Sequence, residues 1–106
     1  MSEKRVEDIN PETVEKRLQD NEQFQLIDVR ETNEYEEGHI PGIKLIPLSD
    51  FENRYQEIDP AKEVVMVCRS GGRSGKASDF LAANGYENVK NMVGGMLAWN
   101  GEVERG

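Results

Sequence analysis

The stretch from Val64 to Met92 constrains this 106-residue chain more than any other. Val64-Val-Met-Val67 is apolar and rich in β-branched residues, as expected of a strand covered on both faces. Cys68-Arg-Ser-Gly-Gly-Arg-Ser74 follows as a glycine-rich loop. Ser74–Asn84 then reads as a helix burying Ala77, Phe80 and Leu81, with Gly85 as its C-terminal cap. Asn88–Met92 reads as a second short strand. Strand, loop, helix, strand at this length fits a right-handed crossover between parallel strands. The architecture predicted is therefore α/β with a mostly parallel sheet.

The rest of the chain agrees. Arg5–Ile9 reads as a first strand, and Asn10-Pro11-Glu12 as a helix start with cap, proline and acid in the favoured order. That helix carries Val14 and Leu18 on one face and fades at Asp20-Asn21. Phe24–Val29 has strand character, Glu31–Glu37 one or two helical turns ended by Gly38, and His39–Gly42 a turn. Ile43–Ile46 is a short strand closed by Pro47, and Ser49–Ile58 a helix with Phe51, Tyr55 and Ile58 inward. Gly94–Asn100 is a terminal turn or helix. No repeat or linker interrupts residues 1–106, which read as a single domain.

Composition narrows the function classes. Apolar residues are 36% of the chain and charged residues 32%, a globular balance rather than a disordered one. The net charge of −8 argues against nucleic acid or anionic membrane as partner. The longest apolar run, Val64–Cys68, is too short to span a bilayer, and Met1–Asn10 is too charged for a signal-peptide core. One cysteine excludes an intramolecular disulfide or a multi-cysteine zinc site, and one histidine excludes a histidine metal cluster. The expected compartment is the reducing cytoplasm, and no metal or organic cofactor is expected.

Cys68 ends a buried strand where ligands bind in parallel α/β sheets. Gly71 and Gly72 let successive backbone N–H groups turn inward as an anion nest. The helix start adds unpaired donors and partial positive charge. Arg69 and Arg73 add full charges, and Ser70 and Ser74 add hydroxyl donors. A thiol at the rim of that cradle should ionise easily. A merely packed cysteine has no need of two glycines and two arginines. The loop lacks the Lys-Ser/Thr of a P-loop and the G-x-G-x-x-G of a dinucleotide site.

Phosphoryl transfer and sulfur transfer both use a cysteine on the floor of an anion nest. A phosphoryl group brings three equatorial oxygens and needs a wide cradle, whereas a persulfide adds one sulfur. The short spacing from Cys68 to Arg73 makes this ring tight, which favours sulfur. Sulfite, leaving from thiosulfate, also needs no proton donor.

The chain resembles the single-domain rhodaneses, the thiosulfate sulfurtransferases. The matching stretches are Leu26–Arg30 with Glu34-Tyr35, Gly38–Gly42, Cys68–Ser74, Gly85–Val89 and Gly94–Trp99, strongest over residues 24–100. The resemblance implies a five-stranded, mostly parallel sheet flanked by helices. It implies Cys68 as the persulfide-forming nucleophile, with backbone amides from Arg69 to Arg73 lining the pocket. Cell-cycle dual-specificity phosphatases of the same fold carry a loop one residue longer. Ile43-Lys44 departs from the small residues common in the family after its Pro-Gly turn, on the acceptor side.

Other polar and aromatic residues have plainer roles. His39 reads as a turn residue rather than a general base. Asp28 and Arg30 either brace the loop, with each other or through Arg73, or form a solvated pair of little weight. Glu31, Glu34, Glu36 and Glu37 read as a solvated helix face, Met92 and Met96 as packing, and Tyr86 and Trp99 as core anchors. Lys44, Lys76, Arg69 and Arg73 could form a positive funnel against the acidic background.

The reading is a sulfurtransferase working by double displacement. Cys68 takes a sulfane sulfur from thiosulfate or a persulfide donor, and a thiol or cyanide removes it. Arg69, Ser70, Gly71, Gly72, Arg73 and Ser74 hold the anion. Rivals are a persulfide carrier or regulatory module serving a sulfur-relay protein, and a phosphatase or arsenate reductase.

Overall fold

The computed structural model describes residues 6–106. Arg5, expected in the first strand, lies outside them. The elements are β1 (Val6–Ile9), α1 (Pro11–Gln19), β2 (Gln25–Asp28), α2 (Thr32–Glu37), β3 (Lys44–Leu45), α3 (Phe51–Arg54), β4 (Val64–Val67), α4 (Gly72–Ala83) and β5 (Val89–Met92). The sheet order is β1-β5-β4-β2-β3, every pair parallel.

β4 is central because no other segment can be covered on both faces at so little cost. All four of its residues are 0% exposed. Alternation along the strand sends them to two cores. Val65 and Val67 join Ile9, Val14, Leu26 and Met92 on the α1 side. Val64 and Met66 join Phe51, Ile58, Ala77 and Leu81 on the side of α3 and α4. Cys68 continues the second series and packs with Ala77 and Leu81. The period-2 rule thus turns the thiol toward the helix that follows its own loop.

α1 forms as its sequence predicts. Asn10 caps it through Oδ1, which accepts from the Thr13 N–H at 3.2 Å, and Pro11 opens it. The helix expected over Ser49–Ile58 is instead broken into a 3₁₀ turn at Leu48–Asp50, one turn of α3, and a 3₁₀ turn at Tyr55–Glu57. Pro47 and Pro60 bracket a segment too short to propagate a helix alone. The Tyr86 hydroxyl stands at its end, 3.0 Å from the Tyr55 carbonyl and 2.7 Å from that of Ile58, in place of further turns. Tyr86 is therefore a core anchor, 4% exposed.

Three smaller expectations are corrected. α4 starts at Gly72 rather than Ser74, because Gly71 at φ 103° makes the sharp turn and its carbonyl already accepts from the Gly75 N–H at 3.0 Å. Phe80 is only half-buried, its ring edge-on to Tyr55 and Phe51 rather than inside the core. Trp99 is also half-buried, lying against the α1-side core with its Nε1–H donating to the Glu102 carbonyl at 3.0 Å. Met92 is buried and Met96 packs beside it, as expected.

Candidate active site

Cys68 is 1% exposed, so its thiol lies on the floor of the loop and not at the rim. The loop still points at it. The Gly71 N–H donates to Cys68 Sγ at 3.0 Å, and Ser74 Oγ lies 3.3 Å away. The N–H groups of Ser70 and Ser74 also face the sulfur. Of the amides implied by resemblance, that of Gly71 donates to the sulfur and that of Ser70 helps lower its pKa, as does the Ser74 amide from outside that range.

Two peptide planes at the start of the loop, Cys68–Arg69 and Arg69–Ser70, are set by carbonyls held elsewhere. The Cys68 carbonyl accepts from the Met96 N–H at 2.9 Å, and the Arg69 carbonyl from the Leu97 N–H at 3.0 Å. A carbonyl fixed on one side turns the next N–H to the other. The 3₁₀ turn Gly95–Ala98 thereby orients the cysteine loop. It approaches so closely that a Cβ at Gly95 would sit 2.5 Å from the Cys68 oxygen and the Arg69 carbonyl, and Gly95 has φ 57°. The sequence offered Gly94-Gly95 as a motif without this role.

Burial pushes the Cys68 thiol toward protonation. The Ser74 hydroxyl and the N–H groups of Ser74, Gly71 and Ser70 push the other way and prevail, holding its pKa below the ordinary thiol value. Among the described residues, no group of three His, Cys, Asp or Glu side chains could hold a metal ion.

The charged residues are arranged differently from the expectation. Arg73 does not meet Asp28. Its Nη1 and Nη2 grip Glu34 at 2.7 and 2.8 Å, a bidentate pair from α4 to α2. Glu34 is thus not part of a solvated face. The Arg73 hydrogen bonds hold its carboxyl at about 2, against the cost of burial and with help from the Glu31 N–H. Lys44 pairs with Glu57 at 2.9 Å, so the proposed four-cation funnel loses two members. Arg69 and Ser70 are exposed.

Asp28 and Arg30 are buried, at 0% and 6% exposed, so the pair is not solvated. Arg30 Nη2 bridges Asp28 Oδ2 at 2.7 Å and the Gly38 carbonyl at 2.8 Å. The pair braces the end of β2 against the exit of α2, and Arg30 adds to Arg73 in lowering the pKa of Glu34. His39 stacks on Tyr35 at 3.8 Å, and its Nδ1–H donates to the Tyr35 carbonyl at 2.8 Å, the structural role expected of it. A groove of about 320 Å³ between Leu18, Ile40, Pro41 and Trp99 contains no residue of the cysteine loop.

A five-stranded parallel sheet carries at its carboxyl end one cysteine whose sulfur faces peptide N–H donors. The comparisons identify the family. The family model for the rhodanese-like domain matches residues 10–102. A sulfurtransferase of Allochromatium vinosum is 38% identical over 94 residues, covering 89% of this chain and 88% of that protein. "Putative sulfur carrier protein YrkF" of Bacillus subtilis is 36% identical over 99 residues, covering 93% of this chain and 54% of its own length. This chain therefore spans about half the length of that relative. The crystal structure of a rhodanese-like domain protein from Staphylococcus aureus superposes with a TM-score of 0.87 at 32% identity, covering 94% of this chain and 98% of that one. The chain belongs to the rhodanese-like domain family and is similar to its sulfurtransferases.

Proposed function

We propose that this protein moves a sulfane sulfur from thiosulfate or a persulfide donor to a thiol or cyanide acceptor through a persulfide on Cys68. One observation carries the reading: a sole sulfur nucleophile with three peptide N–H groups and a hydroxyl aimed at it. The Cys68 thiolate attacks the outer sulfur of thiosulfate. The S–S bond of the donor breaks, and sulfite leaves with the electron pair. The resulting Cys68–S–S⁻ keeps one negative charge, which the ring of donors accommodates. Cyanide then attacks the outer sulfur, thiocyanate departs, and the thiolate returns. Arg69, with Gly72 at the helix start, receives the donor anion. Arg73 acts chiefly by holding the loop, because Glu34 already neutralises it. A reducing compartment such as the cytoplasm keeps the lone thiol available.

Intact mass analysis after thiosulfate treatment tests this directly. The wild type gains one sulfur, cyanide removes it, and Cys68→Ser gains none. An unmodified wild type overturns the proposal. The carrier reading draws on the relative named a sulfur carrier and on the burial of Cys68. It predicts the same mass gain with poor steady-state thiocyanate production, so turnover separates the two. Neither reading allows release of phosphate from an aryl phosphate.

A further inference from the structure

Asn91 lies on β5, in register with Met66 of β4 and Asp8 of β1, and is half-buried. Its Nδ2 donates to the Gly71 carbonyl at 3.1 Å. That bond determines which end of the amide faces the loop, since a flipped amide would set Oδ1 against the Gly71 oxygen. Oδ1 consequently faces Ser74 Oγ, at 2.5 Å.

The Ser74 hydroxyl has one hydrogen and three acceptors within reach: Asn91 Oδ1 at 2.5 Å, Cys68 Sγ at 3.3 Å and the Gly71 carbonyl at 3.3 Å. While Cys68 keeps its proton, the chain runs S–H to Ser74 Oγ and Ser74 O–H to Asn91 Oδ1, and both bonds are satisfied. Once the proton leaves, the hydroxyl hydrogen must turn to the sulfur and give up the shorter bond. Asn91 and the thiolate compete for the same hydrogen.

We infer that Asn91 is a positioning residue that tunes Cys68 by drawing the Ser74 hydroxyl hydrogen away from the sulfur. The consequence is chemical. A thiolate stabilised less strongly stays a better nucleophile, because nucleophilicity falls as a thiol becomes more acidic. The charged groups around the loop and Asn91 come from four elements. Arg73 of α4 is tied to Glu34 of α2, Asp8 of β1 is exposed beside Asn91, and Asp28 at the end of β2 is paired with Arg30. The Gly95–Ala98 turn carries no titratable side chain.

The inference rests on Cys68 being the nucleophile of the proposed reaction, but its test reads thiol ionisation alone and can fail separately. The rate of iodoacetamide alkylation is followed against pH in the intact chain. Asn91→Val is expected to lower the midpoint by about half a pH unit, the size of one modest hydrogen bond. Ser74→Ala raises the midpoint, and Asn91→Val added to Ser74→Ala leaves it unchanged. If Asn91 merely propped the loop, its loss would let the Gly71 N–H retreat and move the midpoint up. An upward or absent shift, or the same shift in both backgrounds, overturns the inference. Asn91→Ala supplies the same reading if circular dichroism finds the valine variant misfolded.

Discussion

Glu63 stands just before β4 and Cys68 just after it, and the two acids are held by different means. The Glu63 carboxylate is gripped by whole charges. Arg17 Nη1 lies 2.9 Å from Oε2, Arg17 Nη2 takes the other oxygen, and Lys90 Nζ is 2.9 Å from Oε2. Those contacts, Arg17 foremost, hold its pKa at about 2 in spite of burial. Cys68 is served by dipoles, and the nearby cation Arg73 is occupied by Glu34. The contrast separates an anion closed off by full charges from a thiol that only dipoles hold toward ionisation. Whole charges lock the carboxylate into a closed pair that joins α1, β4 and β5. Peptide dipoles favour the thiolate without quenching it, and in the reaction we propose they would stay in place when an extra sulfur carries the charge outward.

The largest expected break is Gly95→Ala. Its Cβ would collide with the backbone of Cys68 and Arg69 at a φ that disfavours side chains, so the two carbonyls that anchor the start of the loop lose their partners. We expect a loss of about 3 kcal/mol in a urea melt, with slower alkylation of Cys68 at neutral pH. Normal stability together with wild-type alkylation would mean that the Gly95–Ala98 turn does not set the loop.

Glu63→Gln probes the other end. It should cost about 1–2 kcal/mol at pH 7 while leaving the alkylation profile in place. The sign follows from a folded pKa of about 2 against an ordinary 4.5. The stabilisation is complete above about 4.5 and disappears as the pH falls toward 2. Urea melts of wild type and variant should therefore converge at the acid end, and parallel curves at every pH would contradict the closed-pair description.

Glu34→Gln should have the smallest effect and the most telling one. It releases Arg73 from its neutralising partner, so the alkylation midpoint should drop by a few tenths of a unit. Stability should fall by less than in Glu63→Gln, since both members of this pair are more exposed. An unchanged midpoint would show that pairing with Glu34 does not control what the sulfur feels of Arg73.

The parts of the site legible in advance were those contiguous in sequence. Strand, cysteine, glycines and helix start follow one another from Val64 to Ala83, and local rules sufficed to read them. Glu34 was misjudged because an acid among acids looks solvated until its distant arginine is known. Asn91 went unnoticed since a strand asparagine carries no signal beyond its neighbours. Trp99 lies shallower than expected for a related reason: aromatic size predicts burial, but not that the ring lines an open groove beside Leu18, Ile40 and Pro41.

By itself, then, the order of residues determined the parallel α/β plan, the place of Cys68 at a strand end, and a loop able to turn its N–H groups inward. Which groups face the sulfur was decided by tertiary packing. Met96 and Leu97 orient the loop carbonyls, Glu34 occupies Arg73, and Asn91 bonds to both Gly71 and Ser74. The reason is physical. Backbone conformation and hydrophobic period are short-range properties, whereas the direction of a dipole or the partner of a charge depends on what the fold brings alongside.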